Sequence, residues 1–212
     1  MHLEDVSLGE TIANAVSTGI GAALAIAGLV ILVVTSVMHG GGVRLLTALA
    51  FAVPMLLAFL MSTLYHALPG DITKLVFKVL GHDFVFLLIA GAFTPYCILA
   101  LAGDPTAQAV LGIEWLLAFA GILIESIWLS HPRWLNLVLC VVMCALALTL
   151  APALFAALPA AGWWLLVAAF ACFIVGFVFY VFRKTPYLLF VSHLVMLAGS
   201  VCLFLSVVLF VI

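Results

Sequence analysis

The stretch VRLLTALAFAVPMLLAFLMSTLYH, Val43 to His66, is an apolar run of membrane-crossing length that closes on the polar cluster Ser62-Thr63-Leu64-Tyr65-His66. About 20 apolar residues cross the hydrocarbon core as a helix, whereas a barrel strand is shorter and alternates in polarity. Ser62 and His66 are four apart and share one helical face, and an imidazole at the edge of a span is costly without a partner. The fold and the function therefore both turn on what the rest of the chain brings to His66.

Composition agrees with this reading. Of 212 residues, 69% are hydrophobic and 7% charged, whereas about a quarter of a soluble domain is charged. The sequence predicts an all-α integral membrane protein. A net charge of −2 gives no electrostatic footprint for nucleic acid. The start, Met1-His2-Leu3-Glu4-Asp5, is acidic where a secretory signal is basic, so the first apolar segment is expected to stay as a span. Cys97, Cys140, Cys144, Cys172 and Cys202 all lie inside apolar stretches. That placement suits small buried hydrophobes and not a disulfide framework or zinc ribbon.

Hydropathy, with turn residues as punctuation, divides residues 1–212 into one domain of seven spans: 16–38, 43–66, 80–101, 107–129, 134–152, 161–182 and 187–211. The breaks, such as Gly40-Gly41-Gly42, Gly103-Asp104-Pro105 and Arg183-Lys184-Thr185-Pro186, are short. Consecutive helices are therefore antiparallel neighbours in a seven-transmembrane helix bundle. Residues 3–14 read as a short interfacial helix before the first span. Pro54 and Pro95 fall inside spans and should kink them, opening room for a lipid chain.

Basic residues orient the bundle. Lys74, Lys78, Arg133, Arg183 and Lys184 fall in the second, fourth and sixth loops, against Arg44 alone at the first. Positive charge marks the inner side, which puts the N-terminus in the cytoplasm and the C-terminus outside. Polar groups from five spans then gather at the cytoplasmic depth: Asn14 and Ser17, Ser62 to His66, His82 and Asp83, Glu125, and His193. His193 lies nine residues past Lys184, roughly 13 Å along its helix, within an apolar neighbourhood. The outer half offers chiefly Glu114 and Asp104.

Each polar group has a plain reading and a functional one. His82 and His131 fit interfacial side chains reaching for water, and Glu114 and Glu125 fit acids snorkelling from near the span ends, Glu125 being better placed for an internal hydrogen bond. Asp83 fits equally a helix N-terminal charge favoured by the macrodipole or a functional acid. His193 is a functional-site residue by its depth. His66 and His193, on facing helices, suit a zinc ion, with Asp83 as an oxygen donor or as the holder of a bound water.

Three motifs resemble the hemolysin III family: Ser62-x-x-Tyr65-His66, the run Leu87 to Tyr96, and the run His193 to Ser200. This family is the bacterial branch of the progesterone and adipoQ receptors and is similar to alkaline ceramidases. Glu10 to Val16 and Gly19-Ile20-Gly21 carry the likeness to the N-terminus. The resemblance implies a multi-pass protein of the cell's inner (plasma) membrane, with membrane lipid as its partner.

It also implies a cytoplasm-facing zinc held by the histidine of the second span and two histidines of the seventh, with an acid at the start of the third span on the zinc-bound water. Carried over by position, His66 and His193 are metal ligands, and Ser62 and Asp83 are the catalytic side chains. Leu189 stands where the third histidine belongs, and Gly81 where the acid belongs. Asp83 is displaced by two positions, about 200° around the helix, and Ser17 stands where bacterial members show histidine. His82 or Asp83 is then the candidate third ligand.

The expected activity is zinc-dependent hydrolysis of a lipid amide of ceramide type. The alternatives are a non-enzymatic receptor-like or membrane-homeostasis protein and a pore-forming hemolysin. No span carries a continuous polar stripe that would line a channel.

Overall fold

The computed structural model describes residues 7–128 and 134–212. Regular structure among them is all helical: α1 Leu8–Met38, α2 Gly42–Ala67, α3 Asp71–Pro95, α4 Pro105–Ile127, α5 Trp134–Leu148, α6 Ala151–Ala157, α7 Ala160–Val181 and α8 Leu188–Phe210. Tyr96–Ala100 continues α3 as a π-helical turn. Six of these elements are long and apolar enough to cross a membrane, and α5 with α6, bent by 48° at their break, forms a seventh crossing when the pair is one broken span. The helical membrane bundle is as the sequence predicts.

Three boundaries differ, each for a local reason. α1 begins at Leu8 and not at 16, because Ser7 caps it. The Ser7 hydroxyl accepts the Glu10 amide at 3.3 Å, and the Glu10 carboxylate accepts the Ser7 amide at 3.3 Å, which is a capping box. Of the expected interfacial helix, residues 8–14 are the first turns of α1 itself, and residues 3–6 lie outside the described residues, as do His131 and Arg133. α3 begins at Asp71, directly after Gly70, so Lys74 and Lys78 sit on helical turns and not in a loop. The fifth span breaks at Thr149 and Leu150 because Pro152 has no N–H to offer the carbonyl of Leu148. Pro95 acts in the same way on Gly91, and the helix after it relaxes into the π turn. Pro54 is buried within an uninterrupted α2.

The helices pack mainly as sequential antiparallel pairs, and α8 returns against α1. The main core gathers Leu32, Phe51, Met55, Phe93, Tyr96, Leu203 and Val207. Large apolar side chains such as Val30, Leu116, Leu123 and Ile174 remain exposed, as expected of a lipid-facing surface. The buried Tyr96 hydroxyl donates to Ser206 at 2.8 Å, and Ser206 donates to the Gly162 carbonyl at 3.0 Å. That chain joins the π turn, α8 and α7.

Without a water-driven hydrophobic effect between helices, close packing depends on small residues. At Gly91 a Cβ would stand 2.1 Å from the carbonyl oxygen of Ala50, so α2 and α3 touch backbone to backbone there. Gly91→Ala is expected to cost about 1–3 kcal/mol and to lower the melting temperature in detergent. Gly112→Ala, where a Cβ meets nothing within 4 Å, should melt like the wild type. Equal melting of the two variants would contradict this packing.

Candidate functional site

α2 ends with His66, and α8 carries His193 in its second turn. Their rings meet edge to face with centroids 5.4 Å apart and planes at 68°. Tyr65 lies against the His66 ring at 4.8 Å, and Ser62 is half-buried one turn earlier. Beside His193, the buried Ser192 donates to the Gly176 carbonyl at 2.8 Å, which fixes the register of α8 on α7. The Nδ1 atom of His193 is buried without a hydrogen-bond partner among the described residues. On the α1 side, Thr63 donates to Thr18 at 3.2 Å, and Ser17 and Thr18 return their hydroxyls to the Asn14 carbonyl.

His82 and Asp83 are engaged with α4. His82 Nδ1 stands 2.7 Å from the Glu125 carboxylate, whose second oxygen accepts from Asn136 at the start of α5. Asp83 accepts from Ser126 at 2.8 Å, and its other oxygen is buried without a partner. Glu125 is therefore an internal hydrogen-bonding group, as its position suggested. Glu114 does not snorkel: it is fully buried, because its helix face packs on the π turn and α5 and leaves no path to water.

A catalytic zinc takes three protein ligands and an open position. Here two imidazoles meet and Leu189 offers no donor. A Cβ at Gly81 would meet only Met61, at 3.9 Å, so that position faces α2, while Asp83, two residues on, faces α4. Among the described residues no group of three or more His, Cys, Asp or Glu side chains is placed to hold a metal ion. Lys74 also sets a positive charge within electrostatic reach of His66, which opposes a divalent cation. The donors among the described residues do not make a three-ligand zinc set.

A cavity of about 200 Å³ starts one turn beyond His193 and two turns before His66. Its walls are Gly21, Ala25 and Gly28 of α1, Met55 and Phe59 of α2, and Leu197, Val201 and Phe204 of α8, with Ser200 as its polar member. Leu24, Ile31 and Val201 extend it to the lipid-facing surface, being 50%, 45% and 39% exposed.

Sequence reasoning missed Ser126, Asn136, Thr18 and Ser192. Asn136 had a usable signal, since an amide in the first turn of an apolar span needs a cross-helix partner. The hydroxyls had none, because Ser and Thr can bond back to their own helix.

Apolar helices closed over buried polar ends define a multi-pass helical membrane protein. The chain belongs to the haemolysin-III related family, whose model matches residues 7–204. It is similar to "Hemolysin-3" of Bacillus cereus, at 32% identity over 202 residues, covering 95% of this chain and 92% of that protein. It is similar also to "Hemolysin-3 homolog" of Bacillus subtilis (strain 168), at 32% identity over 201 residues, covering 95% and 94%.

The His82–Glu125 contact makes a stability prediction. His82→Ala should cost about 1–3 kcal/mol by leaving the buried Glu125 carboxylate short of a donor, and Glu125→Ala less, because the partly exposed His82 can turn to water. The double variant should fall short of the sum by about 0.5–3 kcal/mol, read from denaturation in detergent. Strict additivity would mean that the pair is not coupled.

Proposed function

We propose that this chain is a non-hydrolytic, lipid-responsive member of its family, receptor-like or acting in membrane homeostasis. The carrying observation is the contact of His66 with His193, two donors only, one turn from a laterally open apolar cavity. A cavity of that size admits a segment of one acyl chain and not a whole lipid. The imidazole pair, with Tyr65 and Ser62 beside it, supplies polar groups at the cavity's end that can hydrogen bond a headgroup or a carbonyl. Occupancy would press on α1, α2 and α8 together, and a ligand shifts such a packing only through different contacts in its two states. In this reading the site faces the cytoplasm of a cell whose plasma membrane holds the protein.

Hydrolysis of a ceramide-type amide is the second reading, favoured by the survival of the His66–His193 contact itself. It requires a metal held by these two histidines with a third ligand that α3 would have to bring around. A lytic pore, the reading suggested by the name of the relatives, is the third.

Three outcomes separate them. Lipid co-purified with the protein should be identifiable by mass spectrometry and depleted in Leu197→Trp, which fills the cavity. Ceramide should not be turned over even with added zinc, and dye should not leak from liposomes that carry the protein. Turnover abolished by His66→Ala would establish the hydrolase instead, and leakage would establish the pore.

Orientation has its own test. Lys74→Cys should be modified by a membrane-impermeant maleimide only after the cells are opened. Labelling of intact cells would invert the bundle and remove the cytoplasmic assignment.

A further inference from the structure

Glu114 lies nine residues past Pro105 on α4, about 13 Å along the helix, in the half of the bundle opposite the histidine pair. It is 0% exposed, and neither carboxylate oxygen has a hydrogen-bond partner among the described residues. The titratable groups that face it are thiols: Cys97 from the π turn and Cys144 from α5, both within electrostatic reach. Tyr96, also on the π turn, spends its hydroxyl on Ser206. Asp104, at the start of α4, accepts from the amides of Thr106 and Ala107. A naked carboxylate in such a place has neither a countercharge nor a donor, and burial of that kind is strongly unfavourable.

The surroundings are irregular where regularity would be expected. Pro95 and Pro152 each withhold an N–H, so α3 continues as a π turn and the fifth span breaks between α5 and α6, and the π turn packs on α4 and on α6. Interrupted backbone at membrane depth is tolerated where protein buries it, and it supplies carbonyl acceptors that a regular helix would use up. A carboxyl O–H is a donor, whereas a carboxylate is not.

We propose that Glu114 is an intramembrane proton-binding site, occupied as the neutral acid at neutral pH and set between the π turn and the broken fifth span. Release of its proton places a charge where no group among the described residues donates to either oxygen. The packing of the π turn against α4 then has to loosen to admit water or a cation, so the proton and the packing are linked.

The test is the infrared difference spectrum of wild type minus Glu114→Gln in reconstituted membranes. The expected result is a protonated-carboxyl C=O band at neutral pH that moves in heavy water. Each pH unit above the titration midpoint should then reduce it about tenfold. Raising sodium at fixed pH should leave the band in place. Carboxylate bands at neutral pH would overturn the proposal, and so would loss of the band to sodium, which would make the site one for a metal cation. Glu114→Gln, a neutral isostere of the acid, should melt with the wild type at neutral pH and differ from it in alkali. A variant that melts lower at neutral pH while keeping the alkaline sensitivity would also overturn it.

Discussion

A polar side chain inside the hydrocarbon layer has to find its partner within the protein, and that constraint arranges this molecule. Helices of almost featureless apolar sequence could pack in many ways. The few polar side chains reduce the choice by requiring that His66 meet His193, that His82 meet Glu125, and that the hydroxyls of Tyr96 and Ser206 line up with the Gly162 carbonyl. Glycines then set how closely the backbones approach, most tightly where Gly91 lies under Ala50. Apolar side chains fill what is left.

The buried or half-buried histidines and carboxylates divide into two sets at one end of the bundle and a single acid, Glu114, deeper toward the other. One set, on α1, α2 and α8, contains the histidine pair and opens sideways into the cavity. The other, on α3, α4 and α5, is a hydrogen-bonded network in which Glu125 takes donors from two helices and Asp83 takes one from Ser126. In that division the extra acid and histidine of α3 are both engaged by α4, Asp83 through Ser126 and His82 through Glu125. Glu114 stands apart because the elements around it offer thiols and interrupted backbone in place of donors.

Much of this was legible in the sequence. The spans followed from apolar runs and turn residues, and antiparallel order with short loops was enough to bring His66 and His193 to one depth. The displacement of Asp83 from position 81 was also readable as a turn of the helix, and its hydrogen bond to Ser126 has the same sense. Other features were not readable. Pro54 and Pro95 announced kinks, but whether a helix stays regular, as at Pro54, or widens into a π turn, as after Pro95, depends on the neighbours that cover the freed carbonyls. The burial of Glu114 depends on α5 and the π turn closing over it, and a single acid near a span end carries no mark of that.

The central claim is that two histidines meet here without, among the described residues, the third donor a catalytic zinc needs. Zinc content per chain, measured side by side for the purified wild type and for Leu189→His, tests it most directly. The expected result is far less than stoichiometric zinc in the wild type and a gain toward one ion per chain in the variant, because position 189 lies one turn from His193 on the same helical face. Stoichiometric zinc already present in the wild type, with no gain in Leu189→His, would contradict the account.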